Sequence, residues 1–350
     1  MGYPSQDFGR EVISLRKNIG MLIGLLLLTL ALVAGCGNAS QTGGSSSSGG
    51  AGAAQTASSS AAPMPSGQVK ITMLNVGQGD SILVQTAEQT VLIDTSDVDE
   101  QEKLASELKK ADIKKIDKVI LTHPHADHIG GMSLLFQQYS IGEIYDNGVA
   151  AKSKAYRNYL KTAQAKGIAR HTLKDGDVLD FGGGVSFRVY GPGPQMLADS
   201  GDKNYNQNNG SIVGQLVCGN FKMLFTGDAE KEEEQEINGS HGKELKSDVL
   251  KSGHHGSRTA SSPTFLRNVH PRVCVISCGE PQEKGGSGNT YGHPHQETLK
   301  KYNAQKDKVY VTAWNGTITI TTDGKTYHVA TEHEKGSSNP AEAFDGTAGE

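Results

Sequence analysis

Thr122-His123-Pro124-His125-Ala126-Asp127-His128-Ile129-Gly130-Gly131 decides how this chain is read. It packs three imidazoles and a carboxylate into six positions, directly after the apolar run Val119-Ile120-Leu121. Imidazole and carboxylate are the ligands that borderline divalent metals prefer. An apolar run ending in such a cluster, then two glycines and an apolar Met-Ser-Leu-Leu-Phe, predicts strand, ligand loop and helix. His123 and His125 can direct one pair of imidazoles at one cation. Asp127 and His128, offset on the turn into the helix, can reach a second beside it.

Outward from this loop, carboxylates and histidines recur at the ends of other predicted strands. Asp94 closes Val91-Leu92-Ile93-Asp94, where a carboxylate can hydrogen-bond the ligand loop and orient an imidazole. Asp228 follows the apolar Leu224-Phe225 in Thr226-Gly227-Asp228 and is the natural ligand to bridge two cations. Lys251-Ser252-Gly253-His254-His255-Gly256-Ser257 supplies one more histidine for the second cation. His254, first after the strand, is favoured over His255, which would then face substrate. Ser257 and Arg258 offer contacts to an anionic oxygen. Tyr291-Gly292-His293-Pro294-His295 adds two histidines that can hold substrate or, for His293, donate a proton to a leaving group.

Strands are expected at 69–76, 81–85, 90–93 and 119–121, and helices at 99–111 and 153–166. Strand-rich stretches follow at 178–190, 211–225, 248–251, 273–277 and 309–321. Strands lead and helices follow in each half, which fits two packed sheets with helices outside. Cys274 and Cys278 lie on one face of a predicted strand, roughly 13 Å apart at about 3.3 Å per residue. That is too far for a disulfide, so core packing is expected of both.

The amino terminus points outside the cytoplasm. Arg10, Arg16 and Lys17 precede an apolar run at 19–34, short for a membrane span of about 20 residues and ending in small residues, as a secretory signal does. Residues 38–66 are almost all Gly, Ser, Ala, Gln and Thr, too polar to bury a core, and predict a flexible tether. Residues 331–350 have similar character and are expected to trail as a disordered tail. That leaves 67–330 as one large domain. The net charge of −4 over 350 residues excludes a global basic field for nucleic acid, so polyanion binding would need a local patch. Nothing in the sequence calls for an obligate protein partner.

Taken together, these motifs resemble the metallo-β-lactamase-fold hydrolases, and more narrowly the soluble ComEC-type domain of bacterial DNA-uptake proteins. The resemblance runs through Val76-Gly77-Gln78-Gly79-Asp80-Ser81, Asp94, 121–131, Asn208-Asn209-Gly210-Ser211, 226–230, 253–257 and 291–295. It implies an α+β fold, the αββα sandwich, with two divalent ions, zinc or manganese, at the sheet edges. The many membrane spans of the uptake channels have no counterpart here, so a transport role is not implied. Leu32-Val33-Ala34-Gly35-Cys36 likewise resembles a lipoprotein lipobox, which implies cleavage of 1–35 and a lipid anchor on Cys36.

One departure stands out. Many relatives place a third histidine for the first cation between HxHxDH and the bridging Asp. Here that interval holds only His171, in an unsuitable setting, and Asn208, Asn209 and Ser211 occupy the expected place. The first cation would rest on His123, His125 and Asp228, with an asparagine oxygen or water, and should be weaker or favour Mn²⁺. A cell-surface phosphodiesterase or nuclease is the leading expectation. A lactamase, lactonase or thioester hydrolase of the same fold, or a non-catalytic module binding nucleic acid or a partner, are the alternatives.

Overall fold

The computed structural model of the chain describes residues 65–281, 289–335 and 343–350. The expected signal segment, Cys36 and all but the last two residues of the expected linker lie outside them. Two sheets make up the described part. The first runs, in spatial order, Ala343–Thr347, Thr326–Thr331, Ile318–Thr322, Val69–Met73, Ile82–Gln85, Thr90–Ile93, Lys115–Leu121, Ser140–Asp146 and Ala169–Thr172. The second runs Lys308–Val311, Val273–Ile276, Val249–Lys251, Phe221–Phe225, Val213–Cys218, Val185–Gly191 and Val178–Asp180.

Period-two alternation builds the sandwich. Ile71, Val84 and Ile93 face the other sheet and meet Phe187, Met223 and Val275 in one inter-sheet core. Leu83 and Leu92, one residue out of phase, face outward under Leu104 of the helix Gln101–Lys110 and Tyr159 of the helix Lys154–Ala165. Leu224, Leu250 and Ile276 do the same beneath Phe265 and Tyr302. The layers are therefore helix, sheet, sheet, helix, and strands buried on both faces read as nearly continuous apolar runs. Cys274 and Cys278 are buried and unbridged.

Each sheet begins with antiparallel hairpins and then turns parallel. Thr90–Ile93 pairs in parallel with Lys115–Leu121, and Phe221–Phe225 with Val249–Lys251. Parallel neighbours end on the same edge, and ligands bind outside such carboxyl ends. Asp94, the His123–His128 loop, Asp228 and the His254-His255 pair each follow one of these four strands.

Two expectations give way. Residues 331–350 do not all trail free: Ala343–Thr347 pairs antiparallel with Thr326–Thr331, where His328 Nδ1 lies 2.7 Å from Asp345. An edge strand needs no continuous apolar run, which is why its composition reads as a tail. The stretch 309–321 is not all β either. A helical turn, Thr312–Asn315, interrupts it, with Asn315 Oδ1 accepting the Val311 N–H at 3.1 Å. Among the described residues no helix is long and apolar enough to cross a membrane.

Candidate metal centre

The two sheets deliver their ligand loops to one buried carboxylate oxygen. Asp228 Oδ2 lies 3.3 Å from His128 Nε2, 3.5 Å from His255 Nε2, 3.8 Å from His123 Nε2 and 3.9 Å from His254 Nε2. Asp127 Oδ2 approaches His255 Nε2 at 3.3 Å. Asp127, His128, Asp228 and His255 form a group whose ligand atoms all lie within 4.8 Å of one another. His125 stands beside His123, with ring centroids 4.6 Å apart.

Local turns explain how each side chain gets there. Gly227 takes a φ of +47°, and a Cβ on it would meet Ser211 Oγ and Thr122 Cβ at 2.9 Å. Only glycine lets the Asp228 turn press this closely on the HxHxDH loop. Ser211 Oγ accepts the Asp228 N–H at 3.0 Å, so this residue, at the place expected for a third histidine, braces the bridging carboxylate instead. Gly79, at a φ of +121°, allows a similar approach from within the loop's own sheet, with the Asp80 N–H donating to the Asp127 carbonyl at 3.1 Å.

The outer ring nitrogens are held. Asp94, itself at a φ of +59°, takes the Thr122 N–H and hydroxyl at 2.7 Å each and holds His128 Nδ1 at 2.8 Å. His255 Nδ1 is 2.9 Å from the Ser277 carbonyl and 3.5 Å from Asp80 Oδ1. Asp80 in turn is ion-paired with Lys251 at 2.7 Å, both side chains 1% exposed. Such partners set the tautomer and leave Nε2 for a metal. Asp80 and Lys251 lie in quoted motifs, but sequence reading gave neither a role because their contact joins the two sheets.

These atoms fit divalent cations. Nε2 of His123, His128 and His255 and Oδ1 of Asp228 are buried and make no hydrogen bond. Burial would lower His128 and His255, but the surrounding carboxylates, Asp228 foremost, raise both well above the ordinary imidazole range. Burial would likewise raise Asp228, yet His255 and His128 hold it well below the carboxylate range. His123 goes the other way, pushed down by burial and by His128. The carboxylates thus demand positive charge at this spot, which protons or metal ions can supply in exchange for one another.

The second-site histidine differs from expectation. His255, 1% exposed, belongs to the tight group, while His254 is 23% exposed and turns its Nδ1 to Glu230 at 3.1 Å. Order after the strand fails as a guide because both residues adopt left-handed φ, +47° and +53°. The residues proposed for substrate are partly engaged elsewhere. Ser257 Oγ accepts from Thr259, the exposed Arg258 guanidinium is 3.7 Å from Glu297, and His295 Nδ1 accepts the Arg258 N–H at 3.1 Å. Asn208 and Asn209 donate to Glu230 and Glu232 at 2.9 and 3.0 Å, which makes Glu230 a site residue that sequence reading missed. His293 does face the centre, its ring 5.5 Å from His254 and 6.0 Å from His255, with Nδ1 buried and unpartnered. Burial and the neighbouring His255 push it down to about 3, which favours the neutral imidazole.

Comparison with known proteins agrees with this architecture. Residues 74–280 match the profile of the metallo-beta-lactamase superfamily. The chain is 33% identical over 275 residues to ComE operon protein 3 of Bacillus subtilis, covering 73% of this chain and 33% of that protein. It is 32% identical over 257 residues to competence protein ComA of Neisseria gonorrhoeae, covering 73% and 32%. It thus spans about a third of the length of these curated relatives. Among solved structures, the metallo-beta-lactamase fold protein YhfI of Bacillus subtilis is similar at 12% identity and a TM-score of 0.46, over 80% of this chain and 99% of that one.

Proposed function

Because the chain belongs to the metallo-β-lactamase superfamily, we propose that it is a metal-dependent hydrolase of phosphodiesters, held outside the cytoplasmic membrane by a lipid on Cys36. The observation that carries this reading is the convergence of four imidazole Nε2 atoms on Asp228 Oδ2. His123, His125 and Asp228 would hold a first cation, and Asp127, His128, Asp228 and His255 a second. When bound, divalent cations acidify water and neutralise charge on the group under attack.

The protein's own part is positional. Asp94 and Asp80 fix His128 and His255 from behind. Asp127, 23% exposed, stands at the open side of the centre where a substrate would arrive. His293, neutral, can accept or donate one hydrogen bond to a substrate oxygen. A bridging carboxylate where some lactam-hydrolysing relatives use a cysteine puts a hard oxygen in place of a soft sulfur between the two positions, which favours phosphate over a neutral lactam ring. Nucleic acid is the phosphodiester we favour, in line with the resemblance to DNA-uptake domains and the name of one similar chain, competence protein ComA.

Bis-p-nitrophenyl phosphate, single-stranded DNA, nitrocefin and a thioester, each with Mn²⁺ or Zn²⁺, test the reaction class. Cleavage of the first two is expected. Nitrocefin turnover beside inert phosphodiesters, under saturating metal, would overturn the proposal. The anchor is tested separately: Cys36→Ala should accumulate as an unprocessed precursor that no longer carries lipid. Normal processing and release of that variant would remove the lipoprotein reading and leave the enzyme untouched.

A further inference from the structure

His254 is left over once the second site has taken His255, yet its surroundings are those of a ligand. In an extended strand, neighbouring side chains point to opposite faces. Two consecutive left-handed residues turn the chain here and bring both rings beside Asp228. A non-glycine residue at such a φ is strained and persists where the surroundings enforce it. The loop is tied down by the His254 N–H, which donates to the Gly227 carbonyl at 3.2 Å, one residue before the bridging carboxylate.

The ring is held as the other imidazoles are. His254 Nδ1 is 3.1 Å from Glu230 Oε1 and 3.1 Å from Thr259 Oγ1, which leaves Nε2 for the centre. Glu230 is itself fixed, by the Asn208 amide at 2.9 Å and by its own N–H donating to Asn209 Oδ1 at 3.0 Å. Two donors that share an ion at about 2.0–2.2 Å each can be no more than about 4.4 Å apart. The 3.9 Å from His254 Nε2 to Asp228 Oδ2 and the 3.8 Å from His123 Nε2 both fall inside that span. His254 and His255 look in different directions, with their rings 6.1 Å apart and inclined at 63°.

We propose that His254 is the third imidazole of the first cation site, so that the adjacent His254 and His255 serve one cation each with Asp228 between them. Glu230, with Asn208 and Asn209 behind it, is the positioning residue for that ligand. Of the asparagines at the expected place of a third histidine, Asn208 holds the Glu230 carboxylate and Asn209 the Glu230 backbone N–H, so both support the residue that holds its replacement. The first site then has three imidazoles to the second site's two, and the weakness expected from the missing histidine does not follow. This inference rests on the metal-dependent reading above.

The test is metal binding by the full-length chain in detergent, stripped with a chelator and equilibrated with Zn²⁺, with ions per chain read by elemental analysis and affinities by chelator competition. Wild type should hold two ions. His254→Gly suits the left-handed φ, so it should fold, which circular dichroism checks, and it should keep a single ion at wild-type affinity. Glu230→Gln should keep both, with the dissociation constant of one raised about 10–100-fold, as outer-shell changes do. Co²⁺ spectra should show that His254→Gly and His255→Gly lose different sites. A His254→Gly chain that still holds two ions at wild-type affinity, while His255→Gly loses one, refutes this assignment and leaves the hydrolase reading standing. A folded wild type that binds no ion overturns both.

Discussion

Asp228→Asn is expected to strip both cations together and to reduce phosphodiester hydrolysis to background. The amide has the shape of the carboxylate, so packing is kept and the Ser211 hydroxyl still accepts the residue 228 N–H. What changes is the charge at the one oxygen that His123, His128, His254 and His255 all face within 3.9 Å. Changes in the outer shell of a metal site cost about 10–100-fold in affinity, and a shared ligand should cost more than that at both sites at once. Exchange of Asp94 removes the partner of His128 Nδ1 together with the acceptor of the Thr122 N–H and hydroxyl, and should affect the second site first. Elemental analysis beside hydrolysis of bis-p-nitrophenyl phosphate separates the two variants. An Asp228→Asn chain with two bound ions and most of its activity would show that this carboxylate is not the bridge.

The reach of sequence reading follows how local each feature is. HxHxDH is legible because one loop carries four donors, and Asp94 and Asp228 because each caps an apolar strand. The sandwich is legible because Leu83 and Leu92 alternate with residues of the inter-sheet core. The choice between His254 and His255 is not, since it depends on two consecutive left-handed residues that no propensity for histidine suggests. The bracing roles of Glu230 and Ser211 are not legible because each acts through a contact with a residue on another loop. The anion role given to Ser257 and Arg258 comes from residue type alone; in the fold the Ser257 oxygen accepts from Thr259 and the guanidinium lies beside Glu297.

Lys251→Met is expected to destabilise the domain by about 3–5 kcal/mol, the usual cost of removing one partner from a buried ion pair. Lys251 Nζ lies 2.7 Å from Asp80 Oδ2, each side chain is 1% exposed, and the ammonium also donates to the Ser252 carbonyl at 2.9 Å. Burial alone would raise the Asp80 carboxyl, but Lys251 and then His255 outweigh it and bring it down to about 2. A depressed carboxylate contributes stability above its unfolded value of about 3.9, and that contribution is lost as pH falls through the folded value. The gap between wild type and Lys251→Met should therefore be widest near neutral pH and shrink below about pH 4, where protonation of Asp80 removes the stranded charge. Asp80→Asn combined with Lys251→Met should recover at least half of the loss, because a neutral pair leaves no charge unpaired in the core. Urea unfolding of the metal-stripped chain at pH 7 and pH 3 reads all three. A Lys251→Met chain within about 1 kcal/mol of wild type, or a double variant no more stable than the single one, would mean that this pair does not hold the two sheets' ligand loops together.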